Sequence, residues 1–210
     1  MRGIALLMLA AALGGACVKD KQVRVDFSDT PRDYLASDYD TVYERWTRHE
    51  VAMHEVDIAL EAWATYKSWD FREAYIERYA SIYSLPEADR AAVRKQQLDA
   101  FRDSYEFIVR TLSAQYKWND LEKANSPWRV TLVDALGHEL SPEEIVVEKL
   151  PDAYEREFFP ITDPFNSVFM KTYKIRFSVP KSGEFVGSKS GGITLRIASP
   201  IGRLELAWRS

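Results

Sequence analysis

His49-Glu50-Val51-Ala52-Met53-His54 places two imidazoles and a carboxylate close together, the side chains from which a hydrolytic zinc site is built. A zinc-protease helix sets its histidines four apart, so that both face one metal. Here they are five apart, roughly 140° around a helix of 3.6 residues per turn, and an intact helix cannot turn both toward one ion. Glu50, His54, Asp57 and Glu61 follow at spacings of four, three and four. On a helix they would share one face, where they could hold a divalent cation or form a solvated acidic row. Glu50, His54 and Asp57 are therefore the candidates for a metal-dependent enzyme. His49 falls instead on an apolar stripe, the place of a core or interface histidine. His138 follows Gly137 in a predicted turn, with no second ligand nearby. Neither a Gly-x-Ser-x-Gly elbow nor the Glu-x-x-His pattern of di-iron bundles occurs. No catalytic, metal or cofactor constellation is spelled out, and a non-catalytic protein is expected.

The aromatic residues carry more information. Fifteen Tyr, Trp and Phe residues between Tyr39 and Trp118 exceed what a few short helices need for mutual packing, so some should reach a surface. Tyr and Trp join apolar area to a polar tip, which suits packing against a neighbouring domain, a protein partner or a sugar. Trp63, Trp69 and Trp118 are the candidate contacts for a ligand or partner. Phe165, in the Pro- and Phe-rich loop from Glu157 to Asn166, is the fourth.

These residues must be positioned by elements of two kinds. Val42, Trp46, His49, Met53, Val56, Leu60 and Trp63 recur at intervals of three and four, which predicts a helix from Asp40 to about Lys67. Phe71, Tyr75, Tyr79 and Ile82 predict a second. Ser84-Leu85-Pro86-Glu87 has capping-box spacing and opens a third, with a stripe from Leu98 through Phe101, Tyr105, Ile108 and Leu112 to Tyr116. After Ser126-Pro127 the period becomes two: Arg129 to Val133, Tyr173-Ile175-Phe177-Val179, Ile193-Leu195-Ile197 and Leu204-Leu206-Trp208 read as strands, the last two joined by the turn residues Ser199 to Gly202. The expected fold is α+β, with an antiparallel helical unit at 39–125 and an antiparallel β-sandwich at 126–210. Residues 17–38, polar and broken by Pro31, read as a tether, unless Val23, Val25 and Phe27 alternate as an edge strand docked on the body.

The formal net charge is −4, and the acidic excess lies before Pro127. Neither half offers the basic surface that nucleic acid binding needs. Met1-Arg2-Gly3, the apolar run Ile4 to Leu13 and the small residues Gly14-Gly15-Ala16 have the layout of a secretory signal covering residues 1–16, with an apolar run too short to span a bilayer. Leu13-Gly14-Gly15-Ala16-Cys17 resembles the lipobox of bacterial lipoproteins, in which cleavage precedes a cysteine that then carries lipid. Cys17 is the only cysteine in the chain. The resemblance implies lipidation at Cys17 and a soluble body held on a membrane. Val18 is not the Asp that marks inner-membrane retention in such proteins, so it further implies the outer membrane. Gly14 and Ala16 equally suit a non-lipid signal peptidase, which would leave a periplasmic or secreted protein. The function expected is binding or support of another envelope component, with a glycan or cell-wall ligand as the alternative.

Overall fold

The computed structural model describes residues 23–160, 170–181, 185–186 and 191–210; the signal segment, Cys17 and Phe165 lie outside them. The fold is α+β and both its sheets are antiparallel. Helix α1 (Tyr39–Trp46) is followed by β1 (Thr47–His54) and β2 (Asp57–Tyr66), then by helices α2 (Trp69–Ile82) and α3 (Glu87–Asp103) and strand β3 (Ser104–Leu112). The second half holds β4 (Arg129–Asp134), β5 (Glu139–Leu140), β6 (Glu144–Glu148), helix α4 (Asp152–Phe158), β7 (Lys171–Ser178), β8 (Gly192–Ser199) and β9 (Gly202–Arg209). One sheet runs β1-β2-β3-β7-β6 and the other β5-β4-β8-β9.

The expected helix from Asp40 to Lys67 is corrected to a short helix and a hairpin. Thr47 turns the chain to extended backbone, and Glu55, at φ 57°, makes the turn between β1 and β2. On β2 the buried Leu60, Ala62 and Ala64 alternate with the half-buried Glu61 and Trp63, and both Thr65 and Tyr66 at its end are buried. Alanine favours helix locally, and pairing on both sides overrides it. The stripe drawn through Tyr105, Ile108 and Leu112 is corrected likewise. β3 is buried throughout: Tyr105, Phe107 and Val109 face the second sheet, while Glu106, Ile108 and Arg110 face the helices, so no alternation survives in the sequence. β1, β2 and β3 share their sheet with β6 and β7, so the helices and the sandwich are joined in one body.

Between the sheets lies an aromatic core. Phe107 sits 5.4 Å from Trp208, 4.9 Å from Tyr66 and 5.8 Å from Phe177, measured between ring centroids. Trp208, fully buried, donates its indole N–H to the Trp46 carbonyl at 2.9 Å. A Cβ added to Gly202 would come within 2.8 Å of the Ala52 side chain, so two small residues allow β9 to cross β1 this closely. The expected tether is corrected from Val23 onward. Val25 donates its backbone N–H to the Arg209 carbonyl at 2.8 Å, and Val25 and Phe27 enter the core. Their alternation was that of a docked edge segment.

The helices cover the other face of the five-stranded sheet. Ser68 caps α2 by accepting the Phe71 N–H at 3.1 Å. α3 buries no residue fully and is tied to α2 by ion pairs, Arg94–Glu73 at 2.8 Å and Arg90–Glu77 at 2.6 Å. Asp70, 2% exposed, accepts three hydrogen bonds, from the Tyr34 hydroxyl, Arg45 Nη1 at 3.1 Å and the Trp46 indole at 2.7 Å, and forms an ion pair with Arg32 Nε at 3.3 Å.

Urea melts should show Asp70→Ala losing about 3–5 kcal/mol, because it strands buried donors and two arginines. The same melts should show Trp208→Ala losing about 3–5 kcal/mol through cavity formation. A loss below about 1 kcal/mol for Trp208 would mean that its side chain leaves the core.

Candidate functional site

A groove of about 640 Å³ opens where α1 meets the β1–β2 hairpin, within the usual size range of ligand sites. α1 supplies Asp40, Tyr43 and Glu44, β1 supplies Thr47, Arg48 and His49, β2 supplies Trp63, and Pro160 closes one side. Strand register builds its aromatic wall: His49 pairs across the ladder with Trp63, and their rings stack at 4.6 Å and 14°. Glu61 Oε1 holds His49 Nε2 at 2.7 Å, fixing the imidazole plane. The Tyr43 hydroxyl donates to the Pro160 carbonyl at 3.0 Å, and burial raises its pKa, so it remains a phenol. Arg48 is pinned by the carbonyls of Arg45 and Thr47 at 2.8 Å, of Ala207 at 2.8 Å and of Val23 at 3.2 Å. Asp40 and Glu44 lie one helical turn apart on α1 and make no hydrogen bond or ion pair among the described residues. The groove thus offers aromatic rings beside two carboxylates that can accept hydrogen bonds.

Of the aromatic residues singled out in the sequence, Trp63 lines this groove. Trp69 is corrected as a ligand contact: it is buried against Phe101 at 5.9 Å, because α2 turns it inward. Trp118 is half-buried elsewhere, edge-on to His54 at 5.8 Å, with its carbonyl accepting from the Trp128 indole at 2.7 Å. His49 is corrected from a core position, since its side chain is 46% exposed. Glu50, His54 and Asp57 lose their common helix face because they lie on a hairpin, with a bulge between Ala52 and Met53. Among the described residues no three His, Cys, Asp or Glu side chains gather as metal ligands. His138 sits after the Gly137 turn, at φ 88°, with its Nδ1 2.7 Å from Asp134.

A second constellation was not apparent in the sequence. Between the helix-covered face of the sheet and α2, α3 and α4 lies a cleft of about 260 Å³, lined by Lys67, Arg72, Lys174, Glu106 and Glu148, with Gln96, Gln97 and Tyr154. Lys67 hydrogen-bonds Glu106, and Lys174 meets Glu148 at 2.5 Å. Burial and the neighbouring Arg72 lower the Lys67 pKa to about 8 against the pull of Glu106. Burial pushes Glu106 upward, but Lys67 and Arg72 outweigh it and hold the carboxyl below its ordinary value. These residues come from strands β3, β7 and β6, from Lys67 just after β2, and from helices α2, α3 and α4, so only the sheet order β2-β3-β7-β6 and its helical cover assemble them. Lys174, on the polar side of a legible strand, was the one signal in the sequence.

No protein-family model and no curated protein matches the sequence. The chain is similar to a solved protein of unknown function from Burkholderia pseudomallei, with a TM-score of 0.40 and 11% identity over 86% of this chain and 93% of that one.

NMR of lysine Cε resonances should show Lys67 titrating near pH 8, against about 10.4 for an unperturbed lysine. Removing the Glu106 charge with Glu106→Gln should move that midpoint lower still. For stability the sign is set by the depressed value. Between pH 8 and 10.5 the unfolded chain binds more protons at this lysine, so its contribution to stability rises with pH across that window.

Proposed function

We propose that this chain is an exported, lipid-anchored binding protein of the bacterial envelope, and that the groove beside Trp63 takes a carbohydrate from the cell wall or a surface polysaccharide. The observation that carries the reading is the groove lining: Tyr43, His49 and Trp63 beside the carboxylates of Asp40 and Glu44, which have no partner among the described residues. A sugar presents C–H faces that stack on aromatic rings and hydroxyls that donate to carboxylates. A wholly apolar ligand would leave those carboxylates desolvated without partners, at a cost of several kcal/mol.

The anchor reading rests on the lipobox-like leader and agrees with the docking of the chain from Val23. Residues 18–22 separate Cys17 from Val23 and can span at most about 20 Å, which would hold the body close to the bilayer. The role is one of binding rather than catalysis, and nucleic acid is not among its partners.

Calorimetric titration with cell-wall and polysaccharide fragments should give saturable binding that Trp63→Ala weakens about tenfold and Trp118→Ala leaves unchanged, tenfold being about 1.4 kcal/mol. Undiminished binding by Trp63→Ala would remove the groove from consideration. Intact mass and detergent partitioning of protein made in a bacterial host should show a lipid increment that Cys17→Ala abolishes. An unmodified, soluble wild-type chain would make it periplasmic or secreted.

A further inference from the structure

We propose that the cleft between the five-stranded sheet and helices α2 and α3 binds a small oxyanion, a phosphate or carboxylate group, between Arg72 and Lys174. The guanidinium of Arg72 supplies the principal observation. Its residue is 1% exposed, its Nε donates to the Lys67 carbonyl at 2.9 Å and its Nη1 to Gln97 Oε1 at 2.6 Å. Among the described residues Nη2 has no hydrogen-bond partner; its ion-pair partner, Glu106 Oε2, stands 3.7 Å away, beyond hydrogen-bond reach. A charged donor left unmade in the interior costs about 1–3 kcal/mol or more, so a cleft beside it that admits an acceptor is a site with a driving force.

The charge balance points to the same ligand. The lining carries three cations, Lys67, Arg72 and Lys174, against two carboxylates, Glu106 and Glu148. One positive charge remains over, which a single anionic group neutralises. Ile108, Leu150 and Phe159 form an apolar part of the wall, which lowers the local dielectric and strengthens a charge-assisted hydrogen bond. At about 260 Å³ the cleft is smaller than most drug-sized sites, which fits a small anion and excludes a long glycan. This site is separate from the groove at Trp63 and does not depend on the carbohydrate reading.

The test is thermal melting of the purified protein with sodium phosphate or sodium acetate, against sodium chloride at equal ionic strength, with lysine Cε NMR to locate the effect. One of the two anions should raise Tm in a saturable way, by about 3–6 °C at ten times its Kd for a chain of this size. The Lys67 resonance should move with the same midpoint, and the anion that does this distinguishes phosphate from carboxylate recognition. Lys174→Gln, at the partly exposed mouth of the cleft, should weaken the effect at least tenfold without unfolding the chain. Lys95→Gln, at an exposed position on α3, should not. Absence of a saturable rise with either anion would overturn the proposal and leave the cluster as an internal ion network. So would a rise that persists in Lys174→Gln, or one that leaves Lys67 unmoved.

Discussion

The buried carboxylate of Asp70 is the constraint on which the arrangement of the remaining parts depends. A carboxylate at 2% exposure is tolerable only when its oxygens are filled, and the filling comes from residues far apart in sequence. Tyr34 and Arg32 bring in the N-terminal segment, while Arg45 and Trp46 bring in the end of α1. Trp46 then passes the constraint onward, because its own carbonyl accepts the indole N–H of Trp208 on the last strand. A single polar chain thus runs from the first docked residues through α2 to β9, across the aromatic core. Since it fixes where α1 ends, it also fixes where Asp40, Tyr43 and Glu44 stand against the β1–β2 hairpin.

The two faces of the five-stranded sheet solve different problems. Toward the second sheet they present Tyr66, Phe107 and Phe177, which exclude water by area and shape alone. Toward the helices the same strands present Lys67, Glu106, Arg110, Thr172 and Lys174, so that the helical layer is held largely by directed bonds. Arg110 donates to the Phe159 carbonyl at 2.6 Å, and Thr172 to Glu155 at 2.5 Å. Such contacts add little net stability, because desolvation offsets most of the attraction. What they determine is position, and they leave room that apolar packing would have closed. The cleft at Arg72 is a consequence of that choice of side chains.

The same division explains what could be read from the sequence. β7, β8 and β9 were legible because each keeps one apolar row, such as Ile193, Leu195 and Ile197, against a more polar one. α2 was legible from its helical spacing and the start of α3 from Pro86, while the stripe read through α3 ran on into β3. β2 was hidden by its alanines and β3 by burial on both faces, so neither showed a clean period of two. Of the groove, Trp63 was legible as surplus aromatic area. His49 was not, because its stacking on Trp63 exists only in the hairpin register, and a helical reading placed it in the core. The Lys67–Arg72–Glu106 cluster is a product of the end of β2, the start of α2 and β3 meeting, and no local spacing encodes the arrival of Glu106.

The docked N-terminal segment runs beside the groove. Arg48 lines the groove and at the same time donates through Nη2 to the carbonyl of Val23, the first described residue. The groove and the point where the chain leaves toward Cys17 therefore lie at the same end of the body. A lipid on Cys17, as proposed above, would leave this end at most about 20 Å of extended chain from the bilayer surface. A ligand in the groove would be met at the membrane side of the protein. That geometry suits a component lying along the membrane, such as the near face of the cell wall, better than one approaching from a distance.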